Sequence, residues 1–235
     1  MEINNKIILV TGGSSGIGLS TAIKLNEKGA KVIITGRNKD KLDKAVNQFG
    51  FTGFVSDVSK EAEVLQLFEN IKKQFGTLDV LINNAGFGYF EFLENVNVKK
   101  FNEVLQTNVI GAALAAREAS KIFKEKEYGD IINIASTAAT KGFAGGTSYV
   151  ASKFALRGMT ECWRAELRPF NIRVILINPS EVQTDFVINS GRQQRNFNPS
   201  KLIGDDIAHA IIAALEMNER GFITELTVFA TNPKD

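Results

Sequence analysis

The chain has 235 residues, 44% hydrophobic and 23% charged, a composition ordinary for a globular protein and long enough for one sizeable core. A net charge of +2 without a basic run or basic-aromatic stripe gives no sign of nucleic-acid binding, and no apolar run is long enough to span a bilayer. A single cysteine, Cys162, excludes an internal disulfide, and a single histidine, His209, with no second His or Cys beside it leaves no zinc set and no Ser-His-Asp hydrolase.

Residues 6–10 read as a buried strand that runs straight into Thr11-Gly12-Gly13-Ser14-Ser15-Gly16-Ile17-Gly18, and this run opens a helix to about Lys28, stopped by Gly29. Further strands read at 31–35, 53–56, 78–83, 130–136, 172–178 and 223–229, with helices near 60–75, 99–124, 149–168 and 205–216. Near-continuous apolar strands separated by helices predict an α/β fold, a doubly wound parallel sheet with helices on both faces, Rossmann-like. No linker or repeat divides it, so 1–235 reads as a single domain. The stretch 185–204 is the exception: polar and rich in Asn, Arg, Gln, Ser and Gly, it follows a strand end where such sheets bind ligands, and it reads as a substrate loop. Cys162, beside Trp163, is expected to be a buried thiol, and Lys121, Lys124 and Lys126 a solvated helix end. The first residues, 1–6, lack the charged-then-apolar layout of an export signal, so a cytoplasmic location is expected.

The glycine run fits a phosphate cradle. Glycine serves where backbone approaches a phosphate closely, and the free amides of a helix N-terminus face its charge. Gly12, Ser14, Ser15, Gly16, Ile17 and Gly18 are the candidates there, while the lack of a following Gly-Lys-Ser/Thr excludes a P-loop. A second constellation lies downstream: Tyr149 and Lys153 stand four apart, on one helix face, with Ser136 at a strand end before them. A free phenol titrates near 10, and an ammonium one turn away favours the phenolate, suiting Tyr149 to proton transfer with a carbonyl or alcohol oxygen. Ser136 can hydrogen-bond the same oxygen.

Thr11-Gly12-x-x-x-Gly16-Ile17-Gly18, Asn83-Asn84-Ala85-Gly86, Asn108, Ser136 and Tyr149-x-x-x-Lys153, in that order, resemble the short-chain dehydrogenase/reductase family over about 6–184. The resemblance implies catalysis by Asn108, Ser136, Tyr149 and Lys153, with Asn108 holding a water that relays protons through Lys153. It further implies that Lys153 holds the nicotinamide ribose, that Asp57 and Val58 meet the adenine, and that Asn84, Ala85 and Gly86 line the adenosine side. Pro179, Val182 and Thr184 match the segment around the nicotinamide carboxamide, although Ser180 replaces the family's glycine.

Gly36 falls where NAD-preferring members carry Asp, and Arg37 follows it. A guanidinium pairs bidentately with phosphate, so NADP(H) is the expected cofactor and NAD(H) the second choice. The expected activity is hydride transfer between nicotinamide and a small-molecule ketone, secondary alcohol or 3-oxoacyl compound. The competing reading is a non-catalytic NADP-binding regulatory protein of the same fold. Phe87, Tyr89, Phe90, Phe92 and Phe143 are candidates for an apolar pocket wall. Small residues at Gly111, Ala112, Ala113, Ala115, Ala116 and Ala119, with Phe154, Met159 and Trp163, match the helices through which the family assembles, and a homodimer or homotetramer is expected.

Overall fold

A computed structural model describes residues 1–193 and 196–233. Its strands are β1 (Ile7–Val10), β2 (Lys31–Gly36), β3 (Thr52–Val55), β4 (Val80–Asn83), β5 (Gly129–Ile134), β6 (Ile172–Pro179), β7 (Val182–Gln183), β8 (Leu202–Ile203) and β9 (Glu225–Val228). Between them run α1 (Gly16–Glu27), α2 (Lys39–Phe49), α3 (Glu61–Phe75), α4 (Val98–Leu105), α5 (Ala112–Lys126), α6 (Thr147–Leu167), α7 (Phe186–Asn189) and α8 (Gly204–Glu216). Seven strands form one parallel sheet in the order β3-β2-β1-β4-β5-β6-β9. The chain winds outward from β1 in one direction and, after crossing over, from β4 in the other.

Side-chain alternation divides the core. Ile8 and Val10 of β1 face α1 and α8 through Leu25, Ile207 and Ile211, whereas Ile7 and Leu9 face α3 and α5 through Leu67, Ile71 and Phe123. A strand buried on both faces needs apolar residues at every position, which is why β1, β4 and β5 carry no polar alternation at their centres. A polar line crosses this core. Asn83 and Asn133 sit opposite each other in the β4–β5 register. Asn83 Nδ2 donates to Asn133 Oδ1 at 3.0 Å, and Asn133 Nδ2 donates to Thr160 Oγ1 of α6 at 2.8 Å. This line fixes α6 against the two strands that carry the turns of the site.

The seven strands of the main sheet agree with the sequence reading to within two residues at each end, while β7 and β8 were not read as strands. Four further features differ. Helix α2 was not anticipated, because its apolar stripe is only Leu42, Ala45, Val46 and Phe49 among seven polar or charged residues; its start is fixed by Asn38, whose side chain accepts from Lys41 N at 2.9 Å. The helix expected over 99–124 is two α-helices joined by a π-helical turn, Gln106–Gly111. Cys162 is exposed, since α6 turns Leu156, Thr160 and Leu167 inward and leaves Cys162 on the opposite side. Lys126 is half-buried rather than solvated, donating to Asp79 Oδ1 at 2.7 Å and to Leu78 O at 2.5 Å.

The segment 185–204 is tied down at both ends. It begins with α7, and β8 pairs with β7 through Val182↔Leu202 and Gln183↔Ile203. Gln194 and Arg195, in its middle, lie outside the described residues.

Candidate active site

The strand order reverses between β1 and β4, and the loops at their carboxyl ends are bonded to each other there. Thr11 Oγ1 accepts from Asn84 N at 3.0 Å and Ala85 N at 3.1 Å, while Asn84 Nδ2 donates to Thr11 O at 2.9 Å and Gly12 O at 3.1 Å. The two loops approach so closely that side chains are excluded. A Cβ on Gly12, which has φ +65°, would stand 3.0 Å from Ala85 Cα, and one on Gly18 would stand 2.4 Å from Asn84 Nδ2. Glycine at these two places is what lets the loop after β1 and the start of α1 pack against the loop after β4.

Beside these loops lies a cavity of about 1030 Å³. Of the residues expected at a cofactor, Gly12, Ser14, Ser15, Gly16, Ile17, Arg37, Asp57, Val58, Asn84, Ala85, Gly86, Tyr149, Lys153, Pro179, Val182 and Thr184 all line it, as does Ser136. Gly18 and Asn108 do not, both being buried behind the wall. Phe87, Phe90 and Phe143 reach the cavity, whereas Tyr89 and Phe92 do not. The sequence reading missed Asn38, next to Arg37, Lys41, one turn further on, and Phe186, Val187 and Arg192 in the polar segment. Asn38 could have been found as a helix cap; the other two groups carry no local signal.

Ser136 lies just past β5, where its Oγ accepts from Ala138 N at 3.1 Å and caps a single 3₁₀ turn. Tyr149 and Lys153 face it from the first turns of α6, with Lys153 Nζ 5.7 Å from the Tyr149 ring centre. Lys153 is buried and donates to Ile134 O at 2.8 Å; burial pulls its ammonium down to about 8. Burial likewise pushes the Tyr149 phenol above its ordinary value, opposed by the Ser136 hydroxyl and the Arg192 charge. The phenol is thus raised, where the sequence reading expected Lys153 to lower it, because taking a phenolate out of water costs more than Ser136 and Arg192 return. Asn108, in the π-helical turn, has its side chain committed. Its Oδ1 accepts from Phe87 N at 3.0 Å, and its Nδ2 donates to Phe87 O at 2.9 Å and Ser152 Oγ at 3.0 Å. Ser152 Oγ in turn donates to Tyr149 O at 2.7 Å, so Asn108 connects the loop after β4 to the helix turn bearing Tyr149.

A family profile for "short chain dehydrogenase" matches residues 6–195. The chain is a short-chain dehydrogenase/reductase. An uncharacterized oxidoreductase of Staphylococcus aureus is 33% identical over 229 residues, covering 96% of this chain and 97% of that one. Among solved structures, a serine dehydrogenase complexed with NADP+ superposes with a TM-score of 0.89 at 26% identity, covering 94% of each chain. A 3-ketoacyl-(acyl-carrier-protein) reductase from Brucella melitensis complexed with NADH gives 0.89 at 29% identity, covering 97% of this chain and 98% of that one. This short-chain dehydrogenase/reductase is accordingly an oxidoreductase of CH–OH and C=O groups with a nicotinamide cofactor. Among the described residues no helix is long and apolar enough to cross a membrane, and no cluster of His, Cys, Asp and Glu could hold a metal ion.

Burying Lys153 has a measurable consequence in this dehydrogenase. An unfolded lysine keeps its proton up to its ordinary 10.5 and the folded one only to about 8, so below pH 8 Lys153 costs on the order of 3 kcal/mol. The cost fades as pH rises from 8 toward 10.5. Lys153→Met should therefore melt about 5 °C higher than the parent protein at pH 7 without nucleotide, with the gap closing toward pH 10. Equal melting points for the two proteins at pH 7 would contradict a desolvated ammonium.

Proposed function

We propose that this enzyme reduces ketones, or oxidises the corresponding secondary alcohols, with NADP(H). The observation that carries the reading is the convergence of Ser136, Tyr149 and Lys153 on the same cavity that the glycine loop and Arg37 line. Bound there, a nicotinamide dinucleotide supplies or accepts the hydride. The backbone of Gly12–Gly18 and the Thr184 side chain, packed within 3.3 Å of where a Cβ on Gly16 would lie, receive the pyrophosphate. Lys153 holds the ribose and keeps positive charge near the phenol. Tyr149, whose raised pKa keeps it protonated at neutral pH, gives its proton to the developing alkoxide, and Ser136 stabilises that oxygen. Asn108 is a positioning residue, acting through Ser152 on the turn that carries Tyr149. The segment 185–204 acts as the substrate loop, contributing Phe186 at 5.5 Å from the Tyr149 ring.

Tyr149→Phe removes only the proton donor. Turnover should fall roughly 10²–10⁴-fold while nucleotide affinity changes little, read by steady-state kinetics beside a fluorescence titration. Wild-type turnover in that variant would refute the assignment.

NADP(H) preference rests on Arg37 and the absence of a carboxylate at Gly36. A Cβ on Gly36 would lie 2.8 Å from Ser14 Oγ, an atom free to rotate away, so Gly36→Asp is tolerated. Gly36→Asp with Arg37→Ala should shift the NADPH-to-NADH affinity ratio toward NADH by roughly 10-fold or more. Tighter NADH than NADPH binding by the parent protein would overturn the preference.

We infer a homodimer or homotetramer. Much of the small-residue stripe is used internally: Gly111, Ala112, Ala115, Ala116 and Ala119 are buried, Gly111 beneath Val58. What supports association is the exposure of Ile110 and Phe154 on the neighbouring helical faces, 44% and 46% respectively. Light scattering at micromolar concentration should give at least twice the 25.7 kDa monomer mass; a stable mass of 25.7 kDa would refute it.

A further inference from the structure

Around Tyr149 the cavity is walled by aromatic rings. Phe90 lies 5.4 Å from Tyr149, 6.0 Å from Phe143 and 6.4 Å from Phe186, centre to centre. One exposed charged side chain borders this aromatic wall. The Arg192 guanidinium sits 4.2 Å from the centre of the Phe90 ring and lines the cavity. Its Nε donates to Ser190 Oγ at 3.2 Å and its backbone N to Val187 O at 3.1 Å, which fix its approach. Among the described residues it is paired with no carboxylate. The other cations on the cavity wall are differently placed: Lys153 is bonded to Ile134 O, Lys41 lies 3.5 Å from Asp185, and Arg37 belongs to the loop after β2. Arg192 is also the charged side chain whose field reaches the Tyr149 phenol.

A guanidinium stacked on an aromatic face keeps the outer edge of its donor fork open to a carboxylate. We propose that Arg192 binds an acidic group of the substrate, so that the enzyme's preferred substrates are oxo acids, or their hydroxy acids, with an apolar or aromatic body. This rests on the reading of Tyr149 as the proton donor, which sets where the reacting carbonyl lies; the rings grip the body and Arg192 the carboxylate. A phosphate of the cofactor is the competing occupant, and NADPH affinity in the Arg192 variants separates the two.

Matched substrates separate charge from shape. Reduction of 2-oxo-2-phenylacetate and 4-oxo-4-phenylbutanoate is compared with that of their methyl esters, with NADPH and with NADH, for the parent protein, Arg192→Met and Arg192→Lys. The parent should favour at least one acid over its ester in kcat/KM. That acid-to-ester ratio should fall roughly 10- to 100-fold in Arg192→Met and recover in part in Arg192→Lys. As a second readout, 4-phenylbutanoate should inhibit the parent more strongly than 4-phenylbutanamide, with the difference lost in Arg192→Met. A parent preference for the esters, or a ratio unmoved by Arg192→Met, overturns the proposal while leaving the dehydrogenase reading intact. NADPH affinity lost in Arg192→Met would also overturn it, placing the arginine at the cofactor. Reduction of neither acids, esters nor neutral ketones would defeat both.

Discussion

The mutual contact of two loops, those after β1 and β4, is the constraint on which the rest of the site depends. Parallel strands adjacent in the sheet but distant in the sequence end side by side, and their loops would ordinarily part toward solvent. Here the Thr11 hydroxyl takes two backbone amides from the other loop, and the Asn84 amide returns two hydrogen bonds to the carbonyls of Thr11 and Gly12. The spacing leaves no room for a Cβ on Gly12 or Gly18. Threonine, asparagine and glycine in these places therefore form one packing unit, which sets the start of α1 at the edge of the cavity. Such a contact preorganises the cradle before any ligand arrives, which lowers the ordering cost of binding.

A second set of contacts holds the helix that carries Tyr149 and Lys153. Helix α6 is fixed to the sheet by the Asn83–Asn133–Thr160 line and to the loop after β4 by Asn108 and Ser152. That anchoring carries Tyr149 and Lys153 into a setting poor in water, which favours the uncharged form of each, raising the phenol and lowering the ammonium. Buried polar groups satisfied in this way specify one arrangement of helix and sheet. The π-helical turn belongs to the same design: inserting an extra residue into the helix between α4 and α5 turns Asn108 toward the neighbouring loop.

Much of this was legible in the sequence, for physical reasons. Strands buried on both faces are continuous apolar runs, and backbone that must approach a neighbour closely can only be glycine, so the sheet and the cradle could be read from composition in short windows. Tyr149 and Lys153 were legible because four residues is one helical turn. Other features depend on tertiary context and leave no local mark. The phenol's raised pKa is set by burial, which spacing does not report. Helix α2 is held by Leu42 and Ala45 against the sheet, with too thin a stripe to stand out among its charges. Arg192 looked like one more charge in a polar segment, and only the fold sets it over the Phe90 ring.

The central claim is that this cavity transfers a hydride to a carbonyl carbon. It is tested most directly by following a label. NADPH carrying deuterium at C4 on one face or the other is incubated with a ketone that is turned over, and the alcohol is analysed by NMR. Deuterium should appear at the carbinol carbon from one face only, because the walls of a single cavity fix how the nicotinamide lies against Tyr149. Carbinol without deuterium from either face, or with equal deuterium from both, would contradict the account.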